Sequence, residues 1–375
     1  MVRFIHTSDW QLGMTRHFLS PGVQEHFSQS RIDVLRKIGK IAREKRCDFV
    51  LVAGDAFDSN QVDRRTVARA LEALRDIQLP VYILPANHDS LNAASVYTST
   101  VFTASKPNNV HIITSSDPIP ISNGFEIVGT PWFAKKLTIN PLSSLLLELQ
   151  PVPGLTRICV AHGAVDIFTP ENDSAAIISL FQIEKAVREK SIGYLALGDR
   201  HSLTEVGSSK RIWYSGTPEV TDFRETDAGY IQFVELGQDS ISTDSVSVGE
   251  WSFLEWERNL LSTDDIDVLS SELKMLSNKE RTALRLKLSG TLTLTGKGKL
   301  SDLILNSEDL LGSLDVQESE LAVIADNTDF RDLNFSGFVD ATVQRLRDKV
   351  AAGGDEGMVE REALMLLMSL QRGKK

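Results

Sequence analysis

Residues 49–58 read FVLVAGDAFD, an apolar run that ends abruptly at Gly54-Asp55. An uninterrupted run of this kind is typical of a strand buried on both faces of a parallel sheet. Similar runs, each followed by polar residues, occur at Val2–His6, Val81–Leu84, Arg157–Ala161 and Tyr194–Leu197. Helical patterns lie between several of them, at about 23–46, 61–77 and 174–190. This alternation predicts an α/β domain of layered sheets and helices.

The rest of the chain is expected to form smaller units. The polar, Ser- and Asp-rich segment Gln238–Gly249 predicts a boundary. We therefore expect a catalytic domain over 1–245, a small α/β cap over 251–330 and a C-terminal helical segment over 331–375. Within the cap, the pattern predicts a helix at about 264–276, strands at Leu284–Leu288 and Leu292–Leu294, and a helix at about 300–311.

Composition excludes several classes of protein. Of 375 residues, 42% are apolar and 24% charged, as in ordinary globular proteins. No apolar stretch approaches the ~20 residues that span a bilayer, and no signal-peptide pattern precedes Val2, so we expect a cytoplasmic protein. The net charge of −11 argues against a protein that coats nucleic acid by itself, but not against a nuclease. Cys47 and Cys159 form no C-x-x-C pair and are predicted to be buried thiols.

Polar clusters follow the ends of five predicted strands. They are Asp9-Trp10-Gln11, Gly54-Asp55-Ala56-Phe57-Asp58, Asn87-His88-Asp89, Ala161-His162-Gly163 and Gly198-Asp199-Arg200-His201. An isolated Asp is usually a turn or capping residue, and a lone His is usually a satisfied core residue. Five strand ends that each deliver Asp, Asn or His favour a shared site, because sites in such folds gather beyond the carboxyl ends of strands. Carboxylate, amide and imidazole ligands suit Mn²⁺, Fe²⁺ or Zn²⁺.

The order and type of these clusters resemble the calcineurin-like metallophosphoesterase superfamily. Within it, residues 4–10, the 54–58 turn and Asn87-His88-Asp89 are similar to the SbcD-type DNA repair exonucleases, bacterial relatives of the eukaryotic double-strand-break repair nuclease. The specific motifs cover residues 1–220, and over 251–375 the likeness is one of layout only. The resemblance implies a four-layer α-β-β-α sandwich with a small α/β cap and C-terminal helices. It also implies a metal-dependent DNA nuclease subunit.

The resemblance further implies roles for individual residues. One ion would be held by Asp9, Gln11, Asp55 and His201, and a second by Asp55, Asn87, His162 and Asp199. His88 would contact the scissile phosphate and assist the leaving oxygen, while Asp89 and Asp58 would orient or charge-stabilise its imidazole. Two ions that share a carboxylate lower the pKa of water, so that hydroxide can attack phosphorus in line with the departing sugar oxygen.

Two positions depart from the family's usual pattern, because Gln11 and Asp199 both stand where histidine is usual. An amide oxygen and a carboxylate can still serve as ligands. The added oxygen and negative charge favour manganese over zinc. The same departures also allow a degenerate site, so two alternatives stay open. One is a non-catalytic structural subunit of a nuclease–ATPase complex, and the other is a different enzyme of the same superfamily that acts on small phosphodiesters or phosphomonoesters.

Two further features concern partners. Residues 281–300 contain no acidic residue, and their cations predict either a positive ridge for DNA phosphates or a solvated strand face. These cations are Arg281, Arg285, Lys287, Lys297 and Lys299. Amphipathic patterns between about 337 and 371 predict helices that either cap the fold or, as the resemblance implies, dock onto an SbcC-like coiled-coil ATPase. The resemblance also leaves room for a homodimer.

Overall fold

The computed structural model describes residues 1–169, 176–324 and 338–352, together with 359–360, 363–364 and 366–367. The chain divides into two compact units, residues 1–253 and 254–375. Among the described residues, no helix is long and apolar enough to cross a membrane. Cys47 and Cys159 are buried free thiols, as the sequence predicts.

The first unit contains two six-stranded sheets. The first sheet has the order β12-β11-β1-β2-β3-β4, where β1 is Val2–Thr7, β2 Phe49–Val52, β3 Val81–Ile83, β4 Val110–Ile112, β11 Tyr230–Leu236 and β12 Ile241–Ser247. The second has the order β5-β6-β7-β8-β10-β9, where β5 is Ile119–Ser122, β6 Phe125–Gly129, β7 Thr156–His162, β8 Tyr194–Gly198, β9 Thr204–Glu205 and β10 Ile212–Tyr214. Strands β1 to β4 are parallel to one another, and so are β6, β7, β8 and β10.

Helices cover the outer face of each sheet. They are α1 (Pro21–Glu44), α2 (Arg64–Ile77) and α3 (Thr100–Ser105) on the first sheet, and α4 (Pro141–Glu148) and α5 (Leu180–Arg188) on the second. Strand β2 shows how the layers form. Phe49 and Leu51 enter the core between the two sheets, whereas Val50 and Val52 enter the core under α1 and α2. The predicted four-layer α-β-β-α sandwich is therefore confirmed.

The boundary between the two units lies after Phe253, a few residues later than the predicted Gln238–Gly249. Residues 241–247 form β12, which pairs antiparallel with β11 at the edge of the first sheet. An edge strand exposes much of its surface to water, and half-buried and exposed residues alternate along most of β12. Its polar composition therefore reflects an edge position rather than a linker.

The second unit contains a three-stranded sheet with the order β13-β14-β15. The strands are β13 (Ser252–Leu260, which begins in the first unit), β14 (Thr282–Thr293) and β15 (Ser313–Ile324), and the helices are α6 (Thr263–Met275), α7 (Leu294–Glu308) and α8 (Phe338–Ala352). Leu284, Leu286 and Leu288 of β14 pack on one face with leucines of α6 and α7. Leu292–Leu294 is not a separate strand, because Ser289-Gly290 forms no turn. The pairing with β15 shifts register there, and β14 continues to Thr293.

The cations of residues 281–300 do not form a free positive ridge. Arg285 and Lys287 lie within 3.2 and 2.7 Å of the Glu255 carboxylate. Lys297 pairs with Glu318, and Lys299 lies 2.7 Å from Asp267. Such pairs neutralise the charge that would attract phosphates, so the geometry favours the solvated face over the DNA ridge.

The structure describes the predicted C-terminal segment 331–375 only in part. Residues 331–337, 353–358, 361–362, 365 and 368–375 lie outside the described residues. Within the described part, Val343 of α8 and Leu364 are buried, and Lys349 lies 2.9 Å from the Glu360 carboxylate. The helical character of 338–352 agrees with the prediction, whereas the docking role stays a prediction.

Candidate metal centre

Backbone conformation singles out four of the predicted ligands. Asp9, Gln11, Asp55 and Asp199 all have positive φ values, of 52°, 44°, 53° and 98°. L-residues with side chains enter this region at a cost, and such conformations gather at functional sites. Each of these residues lies just after β1, β2 or β8. The left-handed conformation turns the chain out of the sheet at the residue that carries the proposed ligand side chain.

Hydrogen bonds tie these turns to one another. The amide N–H of Asp9 donates to the carbonyl of Gly54 at 3.0 Å, and that of Gln11 donates to the carbonyl of Asp55 at 2.9 Å. From the other sheet, the amide N–H of Asp199 donates to both carboxylate oxygens of Asp9 at 3.2 Å. The ends of β1, β2 and β8 are therefore fixed relative to one another.

Three buried ligand atoms form the centre of the site. One ligand atom each from Asp9, Asp55 and His162 lie within 4.8 Å of one another. Nδ1 of His162 lies 2.9 Å from the carbonyl of Ala53, which is the geometry of an N–H donor. The Nε2 atom then points at carboxylates, 3.5 Å from Asp55 Oδ2 and 3.6 Å from Asp199 Oδ1.

Asn87 adds a fourth group to this centre. Its amide head lies 2.8 Å from His162 Nε2 and 3.1 Å from both carboxylate oxygens of Asp55, with the oxygen turned toward them. In the reverse orientation, the amide nitrogen would instead donate to the same three atoms. The orientation with the oxygen inward is the one that suits a bound ion.

The electrostatics of the site favour positive charge. Burial raises the pKa of Asp9, an effect that His201 and His162 only partly offset. Burial would also raise the pKa of Asp55, but His162 and His88 bring it below its usual value. Burial opposes a charged His162, yet Asp55, Asp9 and Asp199 raise its pKa well above the usual range. These directions favour added positive charge at the centre, which a divalent ion can supply. The donor set therefore fits a metal centre.

The other side of the site is formed by His201. Its Nε2 atom lies 3.8 Å from Asp9 Oδ1 and 3.2 Å from the amide nitrogen of Gln11. Its Nδ1 atom lies 2.7 Å from both Thr221 Oγ1 and Glu225 Oε1. The carboxylate of Glu225 thereby favours a proton on Nδ1, so that Nε2, which faces Asp9 and the Gln11 amide nitrogen, can act as a ligand, a common arrangement around metal-binding histidines.

Sequence reasoning missed Thr221 and Glu225. They follow β10 by several residues and belong to none of the five clusters. Their side chains bond to each other, and the amide N–H of Thr221 donates to Glu225 Oε2 at 2.8 Å. No local signal distinguishes this carboxylate from the chain's other Asp and Glu residues, because it reaches His201 only through the fold.

The predicted roles of Asp89 and Asp58 need correction. Nδ1 of His88 lies 2.7 Å from the backbone carbonyl of Asp58, so a carbonyl rather than a carboxylate orients the imidazole. The buried carboxylate of Asp89 instead accepts from the amides of Ala86 and Phe57 and from the hydroxyl of Tyr97. It therefore joins the two loops that carry Asp55 and Asn87. Burial and the nearby Asp55 raise the pKa of Asp89 to about 6.

Two glycines allow the imidazole of His162 to enter the centre. A Cβ atom on Gly54 would lie 2.3 Å from His162 Nδ1, and one on Gly198 would lie 2.0 Å from the carbonyl oxygen of Ala53. Both distances are far below van der Waals contact. Glycine at these positions is therefore a steric requirement of the site.

Replacing Glu225 with Ala should weaken metal binding, because the His201 imidazole loses the acceptor that fixes its tautomer. We expect roughly a 10–100-fold loss of Mn²⁺ affinity, and a smaller loss for Glu225→Gln, which keeps an acceptor oxygen. Isothermal titration with Mn²⁺ measures the affinity, and ¹⁵N NMR of the histidine ring reports the tautomer. Glu205→Ala, at an exposed carboxylate on β9, is the matched control. Equal Mn²⁺ affinity in the Glu225→Ala and Glu205→Ala variants would contradict this role.

Comparison with known proteins identifies the family. Residues 2–229 match the family model described as calcineurin-like phosphoesterase, and the chain belongs to this family. The family predicted from the polar clusters is thus confirmed, and with it a phosphoester hydrolase.

Curated relatives are more distant. The chain is 30% identical over 129 residues to the D subunit of nuclease SbcCD from Bacillus subtilis, covering 32% of this chain and 30% of the relative. It is 32% identical over 91 residues to the DNA double-strand break repair protein Mre11 of Archaeoglobus fulgidus, covering 24% and 19%. It is 24% identical over 268 residues to the D subunit of nuclease SbcCD from Escherichia coli K12, covering 63% and 64%. The matches thus span less than two thirds of each relative.

Solved structures also resemble the chain. A Thermus thermophilus protein has a TM-score of 0.41 and 11% identity, with 65% of this chain and 98% of that one covered. A dimetal phosphatase from Danio rerio has a TM-score of 0.38 and 12% identity, with 66% of this chain and 99% of that one covered.

Proposed function

We propose that this protein is a metal-dependent DNA phosphodiesterase that acts as the nuclease subunit of a repair complex. The observation that carries the proposal is the convergence of Asp9, Asp55 and His162, whose buried ligand atoms lie within 4.8 Å of one another, with the side-chain amide of Asn87 2.8–3.1 Å from His162 and Asp55. The names of the relatives in Bacillus subtilis, Archaeoglobus fulgidus and Escherichia coli support DNA as the substrate.

The residues would divide between two ions. Asp9, Gln11, Asp55 and His201 would hold one, and Asp55, Asn87, His162 and Asp199 the other. When bound, such ions lower the pKa of water and stabilise the charge on phosphoryl oxygens. The oxygen donors Gln11 and Asp199 support manganese as the preferred metal.

His88 is the side chain placed to act on the leaving group. Its Nδ1 atom is held by the carbonyl of Asp58, and its Nε2 atom lies 3.9 Å from Asp55 Oδ2. The side chain is 32% exposed, so the imidazole borders both the centre and solvent. From this position Nε2 would give a proton to the departing sugar oxygen.

Partner binding is also proposed. Two of the relatives are named as the D subunit of nuclease SbcCD, which supports a second subunit as partner. The resemblance described in the sequence analysis implies that this subunit is an SbcC-like coiled-coil ATPase. The C-terminal segment that begins near α8 would provide the docking surface. A DNA contact by the small α/β unit is not part of the proposal, because its cations on β14 and α7 are paired with carboxylates.

A nuclease assay with controlled metal tests the proposal. Chelated protein should be inactive on linear and hairpin DNA, and Mn²⁺ should restore cleavage as two ions bind per chain. Full activity with Zn²⁺ and none with Mn²⁺ would overturn the metal assignment. Hydrolysis of bis(p-nitrophenyl) phosphate without cleavage of DNA would indicate a small-molecule phosphodiesterase. Binding of fewer than one ion per chain would indicate a structural subunit.

A further inference from the structure

Both ends of one surface loop are bonded to the same ligand residue. We call residues 133–139, between Trp132 and Asn140, the rim loop. Trp132 Nε1 donates to the carbonyl oxygen of His162 at 3.3 Å, and Asn140 Nδ2 donates to the same oxygen at 3.1 Å. The residues at both ends of the rim loop are therefore hydrogen-bonded to the backbone carbonyl of a proposed metal ligand.

Trp132 also fixes the rim loop to a second part of the metal centre. Its amide N–H donates to the carbonyl of Pro85 at 3.0 Å, and its carbonyl accepts from the amide of Leu91 at 2.8 Å. These two residues flank the segment that carries Asn87 and His88. The indole is only 7% exposed and packs edge-on against the imidazole of His162, with ring centroids 6.1 Å apart. The position of the loop beside the centre is therefore set by buried contacts.

The rim loop itself presents both apolar and cationic side chains to solvent. Phe133 is 58% exposed and Ile139 is 69% exposed. Lys135 and Lys136 are exposed between them. Within the described part of the chain, neither lysine forms an ion pair.

Several lysines elsewhere in the first unit lie close to a carboxylate. Lys45 lies 3.0 Å from Asp244, Lys185 lies 3.9 Å from Glu189, and Lys190 lies 2.8 Å from Asp239. The chain as a whole carries a net charge of −11. Two adjacent cations that lack a carboxylate partner among the described residues, next to an acidic metal centre, therefore suit an anionic chain that approaches that centre.

We propose that the rim loop binds a single-stranded segment of nucleic acid beside the metal centre. Phe133 would stack on a base, and Lys135 and Lys136 would contact the phosphates on either side. An exposed ring recognises a base only where that base is unstacked from its neighbours, so the surface fits a single strand or a frayed end rather than an intact duplex. This inference rests on the proposed phosphodiesterase function, because it names the form of substrate that reaches the same site.

Binding of fluorescein-labelled oligothymidylate, followed by anisotropy in chelator, tests the loop without catalysis. Phe133→Ala and Phe133→Leu should each weaken binding about tenfold, and Phe133→Trp should retain it, because only the aromatic ring stacks. The Lys135→Gln/Lys136→Gln double variant should reduce the slope of log affinity against log salt by up to about 1.4, since each phosphate contact on a single strand contributes about 0.7.

Matched controls lie elsewhere in the same unit. Leu147→Ala removes a 72% exposed apolar side chain near the end of α4, and Lys40→Gln/Arg46→Gln removes two cations at the end of α1. Both should bind oligothymidylate like the wild type. The inference is overturned if Phe133→Ala binds like Leu147→Ala, if Phe133→Leu binds like Phe133→Trp, or if blunt duplex is bound as tightly as the single strand.

The failure of this inference can be separated from failure of the proposed function. If the wild-type protein shows no Mn²⁺-dependent hydrolysis of DNA or of bis(p-nitrophenyl) phosphate, the proposed function is removed, whether or not the protein binds oligothymidylate. Wild-type protein that cleaves DNA while its rim-loop variants bind and cleave like the controls would keep that function and remove only the role of the rim loop.

Discussion

Replacing Asp55 with Asn should abolish phosphodiester hydrolysis and reduce metal binding to less than one ion per chain. Asp55 is 2% exposed, and its carboxylate lies within contact range of both Asn87 and His162. The amide introduced by Asp55→Asn would keep the shape and one acceptor oxygen but would remove the negative charge that, in the proposed function, would serve both ions. We expect a loss of roughly 10³-fold or more in kcat/KM, because both the binding and the charge stabilisation depend on it.

Metal content by mass spectrometry and kcat/KM on DNA measure this effect. Asp63→Asn is a matched control, since Asp63 caps α2 through the amide of Thr66 and asparagine caps helices equally well. Both variants lose one negative charge, so a difference between them reflects where the charge lies and not the change in net charge. An Asp55→Asn protein that retains two tightly bound Mn²⁺ ions and more than a tenth of the activity would contradict the bridging role.

The positions of the proposed ligands were predictable because the signal is local. An apolar strand followed directly by Asp, Asn or His marks a strand end, and parallel strands bring such ends to one edge of a sheet. This reasoning placed Asp9, Asp55, Asn87, His162 and Asp199 together, and the structure brings them together. The left-handed turns at Asp9 and Asp55 were not predicted, because residue type alone does not determine a positive φ.

Contacts that connect distant segments could not be predicted. The carboxylate of Glu225 reaches His201 across 24 residues, and Arg31 of α1 is buried with its guanidinium bonded to the carbonyls of Trp10, Glu219 and Val220. No helical or strand periodicity in the sequence indicates that Glu225 or Arg31 makes such long-range contacts. Their partners are set by the packing of layers, which a single sequence does not specify.

Charge patterns were the least reliable guide. The cations of residues 281–300 suggested a ridge because neighbouring carboxylates were counted only along the chain. In the sheet, Arg285 and Lys287 lie opposite Glu255, 30 or more residues away. Cross-strand pairing thus cancels charges that look unopposed in the sequence. The rim-loop lysines differ from these cations. Among the described residues, no carboxylate in the folded structure pairs with Lys135 or Lys136.

Replacing His88 with Gln should separate catalysis from metal binding. The backbone N–H of His88 donates to Asp55 Oδ1 at 3.0 Å, and this contact survives any side-chain change. We therefore expect the variant to bind Mn²⁺ like the wild type. The side chain would no longer supply a proton to the leaving oxygen, and we expect DNA cleavage to fall by about 10²–10⁴-fold.

The choice of substrate makes this prediction specific. A sugar alkoxide is a poor leaving group and needs a proton, whereas p-nitrophenolate leaves readily without one. His88→Gln should therefore lose far more activity on DNA than on bis(p-nitrophenyl) phosphate. The control His26→Gln, at an exposed position on α1, should keep its activity on both substrates. An equal loss on both substrates would mean that His88 stabilises charge on the phosphoryl group rather than protonating the leaving oxygen. The Nε2 atom, 3.9 Å from Asp55 Oδ2 at the border of centre and solvent, is consistent with either contact, so the leaving-group comparison decides between them.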